Sequence, residues 1–397
     1  MRTSLIPALA AGAAMIAVPF AAHAAGTASG GKTSTQGSFT YAVYGDAPYG
    51  VSPTDTSEVD ATPGFIDAVN ADPDVSAVLH VGDIHSGKQY CTEDYDRQIA
   101  DLWSHFADPM VYTPGDNEWT DCHKAAEGGG TYNKTTGQVD YVKDAQGNLV
   151  DYAGGDPVAN LDLVRSIFFP KPGATLGSGS LETESQATAY DPAHPEDAQY
   201  VENAIWKRKG FVFVTLNIPG GSNNDTDPWY GAATMSAEQA AETQQRTAAD
   251  LRWLDHAFDV ASAEDAQGVV LVQQSDMWDL DGKAQTHLSQ YEPFVKSLAE
   301  HTVAFGKPVL ALEGDSHVYR SDNPLQKGAA CAGDADVCSY DAWNSHPSYD
   351  VPNFHRIVVH GSTVPLEYLK LVVTPGGHQA TTATSFGPFS WSRHVEG

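Results

Sequence analysis

Basic side chains are scarce in this 397-residue chain: 22 Lys and Arg face 51 Asp and Glu, a formal net charge of −29. A field of that sign repels nucleic acid and anionic membrane surfaces, so neither is expected as a partner. Cysteine is also sparse, with four residues and no Cys-x-x-Cys pair, which removes a zinc ribbon and a redox dithiol. After the N-terminal segment no apolar run is long enough to span a bilayer. There is no internal repeat, no P-loop and no Gly-x-Ser-x-Gly nucleophile elbow. The acidity itself has two readings, solubility in an extracellular or salty setting and the holding of cations.

The N-terminus starts Met1-Arg-Thr, runs apolar from Leu5 to Phe20 and reaches Ala22-His-Ala24. That order predicts a secretory signal peptide over 1–24, then a flexible small and polar leader over 25–38. The exported remainder, periplasmic or secreted, is expected to be one domain over 39–397 with an insertion at about 124–200. In an oxidising compartment four cysteines allow three pairings. Cys331 and Cys338 bracket a short polar loop and suit a local bridge, which leaves Cys91 with Cys122.

Four strand-like runs end in Gly-Asp: Phe39 to Asp46, Val78 to Asp83, Met110 to Asp116 and Pro308 to Asp315. One Gly-Asp is a common turn. Four of them after apolar runs point to one shared cation site at the strand ends, where open α/β sheets bind ligands. Four clustered carboxylates without a cation would repel by about 4 kcal/mol per pair at ~4 Å and an effective dielectric near 20. Such a set binds a cation, takes up protons or stays hydrated.

Between the first three runs, helices are expected over 62–71, with Pro63 near its first turn, and over Tyr95 to Phe106, where Ile99, Leu102, Trp103 and Phe106 keep helical spacing. Residues 124–160 are rich in Gly and Asn and read as a hairpin-bearing insertion. Phe211 to Leu216 and Gly268 to Gln274 read as buried strands, Ser236 to Ala261 as the best helix, and 291–305 as another. The tail over 354–374 reads as two alternating strands.

As a set, these blocks resemble the calcineurin-like metallophosphoesterase superfamily over about 39–375. The matching positions are Asp46 with Pro48, Gly82-Asp83, Gly115-Asp116-Asn117-Glu118, Gln274, and Gly314-Asp315-Ser316-His317. The resemblance implies an α/β fold, a four-layer α-β-β-α sandwich of two mixed sheets flanked by helices. It also implies a metal-dependent hydrolase of small phosphate mono- or diesters, with two divalent ions bridged by Asp83 and a metal-activated water. The chain is a divergent member of that pattern: Pro48, Asp116, Gln274 and Asp315 replace expected ligands, and Asn117 stands where a histidine would help protonate the leaving group.

The implied metal ligands are Asp46, Asp83, Asp116, Gln274, Asp315 and His317. Mostly hard oxygen, they suit Mg²⁺, Mn²⁺ or Ca²⁺ better than Zn²⁺ or Fe. Asn117, His85 and Glu118 are the implied catalytic residues, with His123 a further proton-transfer candidate. The lost imidazoles keep a second function open, a weakly catalytic or inactive protein that binds a cation or ligand. Gln274 is a ligand or a packing amide, and Trp119 and Trp278 are substrate-stacking or core rings. His80, His355 and His360 fall in strand patterns and read as structural or surface residues. A serine hydrolase reading of Gly314-Asp-Ser-His fails, because that motif belongs on a first strand with its histidine far downstream.

Overall fold

A computed structural model of the chain describes residues 37–224, 227–280, 285–334, 336–346, 349–362 and 366–395. The signal peptide expected over 1–24 and nearly all of the leader lie outside the described residues. Among those described, no helix is long and apolar enough to cross a membrane.

β1 (Phe39–Tyr44) leads into the helix Ser57–Ala71, β2 (Val75–His80) into the helix Glu93–Trp103, and β3 (Met110–Tyr112) follows. β4 (Gly130–Asn133) and β5 (Gln138–Tyr141) make a separate hairpin, and the helix Pro157–Phe168 comes next. Then follow β6 (Glu184–Ser185), β7 (Ala204–Arg208), β8 (Phe211–Thr215), the long helix Ala237–Ala263, β9 (Gly268–Val272) and the helix Glu292–Phe305. β10 (Val309–Glu313), β11 (Arg320–Asp322), β12 (Ala332–Gly333), β13 (Phe354–Val358), β14 (Glu367–Val373), β15 (Gln379–Thr382), β16 (Ser385–Gly387) and β17 (Phe389–Val395) complete it.

The strands form two large mixed sheets, one of seven strands in the order β15-β16-β17-β14-β1-β2-β3 and one of eight in the order β12-β11-β13-β10-β9-β8-β7-β6. β1, β2 and β3 are mutually parallel, as are β8, β9, β10 and β13. Parallel strands are buried on both faces and so read as continuous apolar runs. FVFVT of β8, GVVLV of β9 and VLALE of β10 are buried throughout.

Their period of two then decides which core each side chain enters. Phe211, Phe213, Val270, Val272, Leu310 and Leu312 share a core with Tyr41, Val43, Leu79 and Leu371 of the other sheet. The alternate residues Val212, Val269, Leu271, Val309 and Ala311 pack with Trp253, Leu254, Phe258, Val295 and Leu298 of the helices. On the seven-stranded sheet Ala42, Tyr44 and Val78 pack with Phe65, Ile66, Ile99, Trp103, Val164 and Phe168.

One expectation needs correction, and the two tail strands form where expected. The first helix begins at Ser57, not 62, because Asp55 Oδ1 accepts from the Ser57 N–H at 3.1 Å and Glu58 and Asp60 supply acids to the first turn. Pro63 therefore lies inside the helix. The two tail strands part company, β13 to the eight-stranded sheet and β14 to the other, and β15 to β17 extend the latter beyond residue 374. Both disulfides form as expected, Cys91–Cys122 and Cys331–Cys338.

Candidate metal centre

Five parallel strands end at the crevice. β1, β2, β3 and β10 deliver Asp46, Asp83, Asp116 and Asp315, and β9 delivers Gln274. Backbone bonds tie neighbouring strand ends together within each sheet: Asp46 N–H to Gly82 O at 2.9 Å and Ala47 N–H to Asp83 O at 3.1 Å in the seven-stranded one, and Gly314 N–H to Gln274 O at 2.8 Å in the eight-stranded one. Asp46, Asp83, Asp315 and His317 all have left-handed backbone, with φ of 49°, 62°, 69° and 59°. Each such residue costs about 1–3 kcal/mol when it is not glycine, although Asp bears it better than most, and strain of this kind concentrates at functional sites. The glycine before Asp315 is required for a different reason. A Cβ on Gly314 would lie 2.6 Å from Asp46 Oδ2.

Ligand atoms of Asp46, Asp83 and His317 lie within 4.8 Å of one another. Asp46 Oδ1 accepts from the Asp315 N–H at 2.8 Å and lies 3.5 Å from His317 Nε2. Its Oδ2 is buried and has no hydrogen-bond partner. Leaving a charged acceptor bare in the interior is costly, so this oxygen calls for a proton or a cation. Asp83 differs, because its Oδ2 accepts from Tyr49 Oη at 2.7 Å, Asn117 Nδ2 at 3.1 Å and Gln274 Nε2 at 3.2 Å. Burial pushes the carboxyls of Asp46, Asp83 and Asp116 well above the usual carboxylate range, and the neighbouring acids Asp315, Asp116 and Asp121, respectively, add to it. A hard divalent cation would relieve that repulsion, and Asp46, Asp83 and His317 are the residues that would hold it.

Asp116 and Asp315 come together at another point, on either side of Gly220. A Cβ there would fall against Asp116 Oδ2 and 2.7 Å from Asp315 Oδ1. Gln274 is turned opposite to the expected ligand. Its Oε1 accepts from the Gly220 N–H at 2.5 Å, and its Nε2 donates to Asp83 and to Asp116 Oδ1 at 3.1 Å.

The implied proton-transfer residues have other neighbours. His85 Nδ1 lies 3.2 Å from the Ser86 carbonyl, and its ring meets Tyr95 edge-on beside the Cys91–Cys122 disulfide. Burial holds its imidazole down at about 4. Glu118 Oε1 accepts from Tyr112 Oη at 2.5 Å and the Gly115 N–H at 2.7 Å, bracing the turn that carries Asp116. These contacts make His85 and Glu118 supports of the loops. His123 Nδ1 accepts from the Tyr230 N–H at 3.0 Å. Asn117 does reach the centre, on Asp83 and on Tyr49 Oη at 3.0 Å. Trp119 and Trp278 are buried rings covered by Arg246 and Arg356 at 5.2 Å each, so they are core residues.

Sequence reading passed over Tyr49 and Gly220, and read His80 as structural or surface. Tyr49 was only part of a turn, yet its hydroxyl touches Asp83, Asn117 and, at 3.3 Å, His317 Nε2. Its place three residues after Asp46 was the available signal. His80 is fully buried, with Nε2 2.9 Å from Ala47 O and Nδ1 accepting from the Gly82 N–H at 3.1 Å, so it ties together the loops of Asp46 and Asp83. Gly220 leads the PGGSNN stretch, which carries no motif in sequence.

These features define a mixed α/β protein of two large mixed sheets with an acid-lined crevice at the strand ends. No family model matches the sequence, and no curated protein matches it. Among solved structures it is distantly similar to purple acid phosphatase PPD1 from yellow lupin (Lupinus luteus) seeds, at 11% identity and a TM-score of 0.39. The match covers 91% of this chain and 52% of that one, so the chain spans about half the length of that structure.

Proposed function

We propose that the protein is an exported, metal-dependent phosphoesterase that hydrolyses small phosphate mono- or diesters, on a four-layer α-β-β-α arrangement of the two sheets and their helices. The observation that carries this reading is the gathering of ligand atoms of Asp46, Asp83 and His317 within 4.8 Å of one another, with Asp46 Oδ2 buried and without a hydrogen-bond partner. A divalent cation held there supplies Lewis-acid stabilisation of a phosphoryl oxygen and lowers the pKa of a water. Tyr49 and Asn117 fix the rotamer of Asp83 through their hydrogen bonds to its Oδ2. Asn117 has donors to offer a phosphoryl oxygen and no titrating proton to give a leaving group. Esters of acidic alcohols are therefore the favoured substrates. Two disulfides suit an oxidising compartment and support export.

Purified protein with Mg²⁺, Mn²⁺ or Ca²⁺ should cleave nitrophenyl phosphate, and Asp83→Asn should abolish the activity. Equal turnover by that variant would reject the mechanism. A second reading, cation binding without hydrolysis, is favoured by one observation: amides of both Asn117 and Gln274 already donate to Asp83. Cation binding with no turnover across a panel of esters would decide for it.

A further inference from the structure

We infer that the crevice takes one divalent cation per chain, held by Asp46, Asp83 and His317, and that the Gln274 side-chain amide fills the place a second cation would need between Asp83 and Asp116. The inference rests on the metal-site reading above and fixes its stoichiometry.

The orientation of Gln274 is set by its partners. Its Oε1 accepts from the Gly220 N–H at 2.5 Å, and a flipped amide would set two donors against each other. Nε2 is thereby aimed at Asp83 Oδ2, 3.2 Å away, and Asp116 Oδ1, 3.1 Å away. An amide nitrogen has no lone pair available for a metal, so the group that meets both carboxylates is a donor of hydrogen bonds in a cation's position. The stem is also confined. A Cβ on Gly82 would lie 2.5 Å from Gln274 Cβ, which shows how closely that backbone packs on it.

Asp116 Oδ2 and Asp315 Oδ1 meet beside Gly220, where a Cβ would fall against the first and 2.7 Å from the second, so the Gly220 backbone that orients Gln274 is held close to both acids. Asp46 Oδ2 differs from the Asp83 and Asp116 oxygens that Gln274 meets in having no hydrogen-bond donor against it, buried though it is. Tyr49 Oη, the neutral group beside Asp83 and His317, is an oxygen that accepts as well as donates, so it can stay next to a cation where an amide NH₂ cannot.

The test is equilibrium dialysis of the full exported chain against Mn²⁺, with metal counted by elemental analysis and the bound ion examined by electron paramagnetic resonance. One equivalent with the spectrum of an isolated ion is the expected result. Two equivalents with an exchange-coupled spectrum would overturn the inference and leave the phosphoesterase reading standing. No bound metal would overturn both. Gln274→Glu and Gln274→His put a lone pair where the amide nitrogen stands, and either folded variant should bind a second equivalent. Folded variants that both stay at one equivalent would refute the part assigned to Gln274.

Discussion

Asp46 and Asp315, 269 positions apart, are joined by a 2.8 Å hydrogen bond from the Asp315 backbone N–H to Asp46 Oδ1. The bond ties the end of β1 in one sheet to the end of β10 in the other. It also satisfies only half of the Asp46 carboxylate, because Oδ2 remains buried without a partner. A cation held by Asp46 would offset the cost of burying that oxygen.

Asp46→Asn separates those two effects. The amide oxygen keeps the bond to Asp315, while the NH₂ replaces a bare charged oxygen. In a chelator the variant should be no less stable than the parent, because a neutral amide replaces a buried carboxylate crowded by Asp315 and Asp116. Adding Mn²⁺ should raise the melting temperature of the parent and leave that of the variant almost unmoved. Calorimetry with and without Mn²⁺ reads both, and an undiminished cation effect in the variant would remove Asp46 from the site.

His80 should impose an acid limit on stability. Burial holds its imidazole down at about 3, and in the neutral form it accepts from Gly82 N–H and donates to Ala47 O. A depressed folded-state pKa gives stability that is fully present above the unfolded value near 6.5 and is lost as pH falls toward 3. Over that window the group contributes a slope of about 1.4 kcal/mol per pH unit. His80→Gln has no proton to take up, so the difference between parent and variant in urea denaturation should shrink by that slope from pH 6.5 downward. A constant difference would mean that the imidazole is not held neutral.

Arg356 supports the last loop of the site from behind. Its guanidinium, fully buried, bonds to Asp276, to Asp322 Oδ1 at 2.7 Å and to Glu313 Oε2 at 3.2 Å. Asp276 Oδ2 in turn accepts from Ser316 Oγ at 3.1 Å, between Asp315 and His317. Removing one side of a buried ion network strands the other, so Arg356→Ala should cost about 3–5 kcal/mol in denaturant unfolding. It should also weaken Mn²⁺ binding, since Asp276, which anchors Ser316, loses its own partner. A loss under 1 kcal/mol would show that the acids relax into water.

Tyr49 and Gln274 show where sequence reading stops. The aspartates were found because each follows an apolar strand and a glycine, and strand, glycine and acid are local features. Tyr49 follows Asp46 by three residues, but nothing local says that its hydroxyl turns back on Asp83 instead of toward solvent. Gln274 was placed at the end of β9 correctly, as the residue after a buried run. Whether its oxygen or its nitrogen meets the carboxylates depends on Gly220, a partner 54 positions away.

By itself the sequence determined the parallel, doubly buried strands, the acids at their ends and the helices between them. All of these follow from periodicity, turn chemistry and spacing along the chain. Only the tertiary structure decided which acids meet, which oxygen is left bare, and that Tyr49 stands at the centre while His80, His85 and Glu118 contact the surrounding loops. The reason is that burial and hydrogen-bond direction belong to pairs of residues, and the partners here come from different sheets.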